Sequence, residues 1–115
     1  MAIELLQTLE VIEAMENFIA RKRPPANIRH QLDLSYKIEG QSIIVFEVRP
    51  RWNNQEEKME CNIAKATFVK AKNHWKVFWQ QSDLNWHGYT PQPNVKSPND
   101  FVKLIEEDKC HCFWG

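Results

Sequence analysis

Four groups of side chains in this sequence have types and spacings that could do chemistry. The first is Asp33, Glu47, Arg49 and Lys65. Two carboxylates beside a lysine are the donor set of Mg²⁺-dependent phosphodiester hydrolysis: the carboxylates hold the metal and the lysine supports the attacking water. Glu47-Val48-Arg49 imitates the acid-x-base step of restriction-type nucleases, with arginine where lysine belongs. A guanidinium holds its proton too firmly to act as a base. The plainer reading of the same residues is a ladder of cross-strand ion pairs on a solvated sheet face.

The second group is basic and aromatic: Arg49, Arg51, Trp52, Lys65, Lys70, Lys72, Trp75, Lys76, Trp86 and His87. Cations beside aromatic platforms hold phosphates and stack bases. Trp75 and Trp79 alternate with polar residues as core residues do, which leaves Trp52 and Trp86 as the exposed candidates. The third group is the tail Cys110-His111-Cys112, with Cys61, His74 or His87 as further donors. Thiolates and imidazoles are zinc ligands, but structural zinc sites present two ligand pairs and this tail supplies one. No local signature marks a nucleophilic cysteine beside His87 or His111. The fourth is Asp83, Trp86, His87 and Tyr89, where a histidine among aromatics is either a base or a packed ring with one satisfied nitrogen.

The elements that must position these groups follow from apolar periodicity. Residues 3–22 read as a helix, with Leu5, Leu9, Ile12, Met15 and Ile19 in one stripe, early glutamates, Arg21 to Arg23 last, and Pro24-Pro25 as the stop. The period then changes to two. His30 to Ile38 and Ser42 to Arg49 read as strands around a turn at Gly40. A loop centred on Gly40 sets Tyr36 against Ile44, Leu34 against Phe46 and Leu32 against Val48. Arg51 to Lys58 reads as a polar loop, Glu60 to Lys70 as a third strand, Lys72-Asn73 as a two-residue turn and His74 to Gln80 as a fourth strand. In that hairpin Phe68 is expected to meet Val77, and Ala66 to meet Trp79. Leu84 to Tyr89 reads as a short edge strand. Ser97-Pro98-Asn99-Asp100 opens a second helix ending near Asp108, with Phe101, Leu104 and Ile105 buried.

This order predicts an α+β fold, an antiparallel meander of four to five strands with both helices on one face. The opposite face is expected to carry Asp33, Ile43, Val45, Glu47, Arg49, Ile63, Lys65, Thr67, Val69, Lys76 and Phe78. Its apolar members are too many for a wet surface, so the C-terminal tail, a partner or a ligand is expected to cover them.

The totals bound the class. The 115 residues suit one domain, residues 1–115, with 43% apolar and 26% charged residues. Fifteen basic residues balance fifteen acidic ones, so net charge alone draws the chain neither to nucleic acid nor to an anionic membrane. Three cysteines make a poor disulfide framework and point to a reducing cytoplasm. No signal peptide or membrane span is read from the sequence, and no cofactor is expected.

The stretches Leu32-Asp33-Leu34-Ser35-Tyr36, Phe46 to Trp52, Ala64 to Lys70, Trp75 to Trp79, Leu84 to His87 and Cys112-Phe113-Trp114-Gly115 resemble a family of short bacterial proteins known only as a domain of unknown function. The resemblance spans nearly the whole chain and implies a stand-alone bacterial protein, with no activity or catalytic residue to carry over. The expectation is a non-enzymatic binding or assembly module. Its binding surface is the open sheet face with Arg49, Arg51, Trp52, Lys65, Trp86 and His87, and a homodimer is the simplest way to close it. The alternatives are nucleic-acid binding through the basic and aromatic set, and a metal-dependent phosphodiesterase using Asp33, Glu47 and Lys65.

Overall fold

The computed structural model describes residues 5–110 and 112–114. Helix α1 (Leu5–Lys22) buries Val11, Ala14, Met15 and Phe18. Of the expected stripe Met15 is buried and Ile19 packs against the core, but Leu9 and Ile12 are 55% and 39% exposed, and the side chain of Leu5 lies outside the described residues. The buried stripe is rotated to take in Val11 and Phe18, which bring more apolar area to the core than Leu9 and Ile12 would.

After Pro24-Pro25, successive turns closed by Ile28 N–H to Pro25 O and Leu32 N–H to Ile28 O delay the first strand to Asp33. Strands β1 (Asp33–Glu39), β2 (Ser42–Arg51), β3 (Asn54–Val69), β4 (His74–Gln80) and β5 (Trp86–Gly88) form an antiparallel meander in sequence order. A two-residue strand, β6 (Asn94–Val95), pairs with the same edge of β4 further along. It falls where Pro91 and Pro93 suggested loop, and its brevity leaves it no periodic signal.

The register of the first hairpin differs from the expected one by a single residue. Gly40 (φ 57°) and Gln41 form a two-residue loop in place of a wider one, so Glu39 faces Ser42, Tyr36 faces Val45 and Leu34 faces Glu47. A one-residue slip reverses every side chain of the partner strand. Ile43 and Val45, expected on the open face, are therefore fully buried beneath the helices, and Glu47 goes with them to that side. Ile44, Phe46 and Val48 take the open face. A bulge opposite Val45/Phe46 leaves Ile63 without a partner on β2, and Ile63 packs against the core instead of facing out.

The β3–β4 hairpin keeps its expected faces with a register two residues off: Phe68 faces Trp75, Ala66 faces Val77 and Ala64 faces Trp79. The short 3₁₀ turn Lys70–Lys72 and the left-handed Asn73 (φ 51°) close it with a longer loop than Lys72-Asn73 alone. Phe68 and Trp75 rings meet at 5.1 Å. Ala64 and Ala66 leave room for Trp75 and the half-buried Trp79.

Helix α2 (Pro98–Glu107) starts as its sequence dictates, with the Ser97 side chain accepting the Asp100 N–H at 3.1 Å. It ends at Asp108, buried and left-handed (φ 41°). The Asp108 carboxylate accepts the N–H groups of Phe113 at 3.1 Å and Trp114 at 2.9 Å. Phe113 is thereby pinned in the core against Tyr89, so the tail covers the helix side and not the open face. Among the described residues no helix is long and apolar enough to cross a membrane.

Candidate functional site

Two rows of side chains cross the open face. One runs Lys37, Ile44, Lys65, Phe78, Gly88 from β1 to β5; the next runs Glu39, Ser42, Thr67, Lys76, Asn94 from β1 to β6. Ile44 is only 7% exposed although it faces away from the helices. Its neighbours in the row are two lysines, whose aliphatic stems cover it while their ammonium groups reach out. Lys37 lies over Phe46 at 5.3 Å and is paired with Glu60 at 3.0 Å, which raises its pKa. Lys65 lies over Phe78 and Trp86, 4.9 Å from each ring centroid. Burial lowers its pKa against a weaker pull from Glu39. The face that needed covering is thus largely covered by its own lysines and rings.

On the helix side, a cleft of about 270 Å³ is lined by Lys22, Pro24, Leu32, Leu34, Glu47, Glu106 and Trp114. Its two carboxylates are already matched: Glu47 by Arg49 at 3.1 Å, and Glu106 by Arg21 and Lys22. The indole N–H of Trp114 is spent on the Ile105 carbonyl at 2.7 Å. The cleft therefore presents internally compensated charge, whereas Lys65, Lys72 and Lys76 form no ion pair among the described residues.

The phosphodiesterase set does not assemble. Glu47 points to the helix side, whereas Asp33 and Lys65 point to the open face. Asp33 lies four residues along β1 from Lys37, the β1 member of the Lys65 row, an offset of about 13 Å at strand rise. Its carboxylate is held by Arg23 through two bonds of 2.8 and 2.9 Å, which lower its pKa. Register is the physical reason for the miss, because the one-residue slip moved Glu47 across the sheet.

The expected binding residues divide three ways. Arg49, Arg51 and Trp52 stand on a two-stranded arm, where β2 and β3 run on past the last β1 pair; Arg51 is bridged to Glu57 at 3.3 Å, and Trp52 at the tip is 93% exposed. The stretch expected as a loop is this arm. Lys65 and Trp86 meet on the open face. His87, opposite Trp79, turns to the other face, where its Nε2 lies 2.9 Å from the Asp83 carboxylate. Asp83 has a lowered pKa, first from the Asn85 N–H and then from His87. Tyr89, the last of that group, is a core residue. In the tail, His111 lies outside the described residues; Cys110 is exposed and Cys112 is half-buried, with a pKa raised by burial. Among the described residues no three His, Cys, Asp or Glu side chains converge on one point.

His74 was read only as a spare zinc donor, yet it shares the open face with Lys76 and Phe78, at alternate positions of β4. That i, i+2, i+4 spacing is visible in the sequence, and so is a charge asymmetry hidden by the neutral total. From residue 61 to residue 99 there are five lysines and a single acid, Asp83. Comparison with curated proteins and with solved structures returned no match. A family model, Domain of unknown function (DUF3024), matches residues 4–115, and with nearly its whole length matched the chain belongs to that family.

Proposed function

We propose that the protein is a non-enzymatic binding module that receives single-stranded nucleic acid on its open sheet face. The observation that carries this reading is Lys65, seated 4.9 Å from both Phe78 and Trp86 in the middle of that face, with no carboxylate bonded to it. Aromatic faces beside cations give a strand what it needs: about 1–3 kcal/mol of stacking per base, and phosphate neutralisation. The acid-poor stretch from residue 61 to residue 99 supplies a local positive field although the chain is neutral overall. Arg51 and Trp52 stand at the same end of the sheet as Trp86, since β2 and β4 both run toward that end, whereas Arg49 is paired with Glu47 on the helix side and drops out. His87 is engaged by Asp83 on the far face and drops out of the contact set.

A second reading, self-association, draws on another surface. Of the apolar residues that motivate a sheet-face dimer, Ile43 and Val45 are in the core and Phe78 alone stays on the open face, but α1 exposes Leu6, Leu9 and Ile12. Light scattering across a concentration range tests it, and a monomer throughout removes it.

The nucleic-acid reading is tested by tryptophan-fluorescence titration with the oligonucleotide (dT)10. With three phosphates neutralised by Lys65, Lys72 and Lys76, log K should fall with log [salt] at a slope of about −2, or roughly 20-fold weaker binding at 200 mM than at 50 mM salt. Binding that ignores salt, or no binding at 50 mM, refutes it.

A further inference from the structure

On the reading that the open face receives a single strand, we propose that a groove at the outer edge of β4 is the seat of one phosphate group, held by His74, Lys72 and Lys76. The groove arises from topology. β5 pairs with Phe78 to Gln80 and β6 with Trp75 and Lys76; between them the Tyr89 N–H and the Pro93 carbonyl both bond Val77, so only residues 90–92 leave the sheet edge. The space left is about 270 Å³, lined by Lys72, His74, Lys76, Phe78, Pro93 and Asn94 and floored in part by Val77 and Gly88. Gly88 faces Phe78, and a Cβ placed on it would meet no atom within 4 Å. The space beside Gly88 is thus open to a larger side chain.

Its chemistry is that of an anion site. The strand sets His74 and Lys76 on one face, and the preceding turn adds Lys72. Neither lysine is paired with an acid among the described residues. The decisive atom is His74 Nε2, which is buried and has no hydrogen-bond partner. Such atoms are uncommon in native structures because leaving them unmatched costs stability. Nε2 is closed to solvent, so the imidazole must turn to donate from it to a phosphate oxygen; the two ammonium groups then balance the charge. The volume lies below the roughly 300–1,000 Å³ of pockets that enclose whole drug-sized ligands. It fits a phosphate and part of its sugar, with Phe78 beside it for a base and Lys65 beyond. A backbone phosphate of a strand and the phosphate of a free mononucleotide share this chemistry.

The test is nuclear magnetic resonance of the ¹⁵N-labelled protein, reading the Gly88 and Asn94 amides and the His74 ring nitrogens, with (dT)10 in one arm and thymidine 5′-monophosphate in the other. The expected result is that (dT)10 moves all three sets together with the Trp86 indole. Gly88→Val, which fills the groove, should weaken (dT)10 about five- to tenfold and silence the His74 response, with thermal unfolding unchanged. His74→Gln, which keeps an N–H donor, should lose less affinity than His74→Phe. If (dT)10 shifts Trp86 but leaves His74, Gly88 and Asn94 still, the groove is overturned and the sheet-face reading survives. If only the mononucleotide moves His74, the phosphate seat stands and the single-strand reading falls. Silence in both arms overturns both, and wild-type affinity in Gly88→Val overturns the groove.

Discussion

Replacing Lys65 by methionine separates what its stem does from what its charge does. The stem covers Ile44, 7% exposed on the open face. The ammonium has two opposing effects on the fold. Its contacts with Phe78 and Trp86, both at 4.9 Å, contribute about 0.5–1 kcal/mol each at a surface. Desolvation opposes them and lowers its pKa. The two effects oppose each other and methionine keeps the stem, so Lys65→Met should lie within about 0.5 kcal/mol of wild type, as surface substitutions usually do. Lys65→Ala also strips the stem and uncovers Ile44; at about 0.8 kcal/mol per buried methylene it should cost about 1–2 kcal/mol. Binding should respond differently. Losing one phosphate contact reduces the salt slope by about 0.7, so the change between 50 and 200 mM salt drops from about 20-fold to about sevenfold. The folded-state pKa lies below the unfolded value, so the folded protein binds fewer protons between the two. Wild-type stability should therefore rise relative to Lys65→Met as pH climbs from the folded pKa toward about 10.4. Urea unfolding and (dT)10 titration read the two quantities separately. If Lys65→Met is as unstable as Lys65→Ala and its salt slope is unchanged, the ammonium is a structural clamp and the strand does not lie there.

Two further predictions concern the frame around this face. Asp108→Ala removes the acceptor of the Phe113 and Trp114 N–H groups; the tail can then undock, so the loss is limited to about 2–3 kcal/mol, the burial of Phe113. Asp108→Gly should lose as much even though it suits the left-handed backbone, and equal stability of wild type and the glycine variant in urea would show that the carboxylate does not hold the tail. Tyr89 is buried, and its pKa is pushed up to about 12, by burial first and then by Cys110. The unfolded chain ionises near pH 10, so stability should fall by about 2–3 kcal/mol as pH rises from about 10 to 12. Tyr89→Phe should flatten that decline in an alkaline urea series, and an unchanged decline would assign it to other groups.

Much of this architecture is legible in the sequence. The 3.6-residue period, Pro24-Pro25 and the Ser97-Pro98 start mark both helices, and alternation marks β1 to β4, because these signals are local. The candidate site is legible only in its residue types. Lys65, Lys72, Lys76 and Trp86 stand out as cations and rings, but Glu47 and Arg49, expected on the open face, turn to the helix side. His74 reads in the sequence only as a further zinc donor, for want of a neighbour that would mark an anion site.

What the sequence determines by itself is which residues alternate and where elements start and stop, since side-chain period and backbone dihedrals are properties of a short stretch of chain. What only the tertiary structure decides is which way each alternating set points. The two-residue loop at Gly40 and the bulge at Ile63 each shift register by one position, and no periodicity within a strand records how that strand is paired. On those two shifts depend the burial of Ile43 and Val45, the separation of Glu47 from Lys65, and the row of lysines and rings that faces outward.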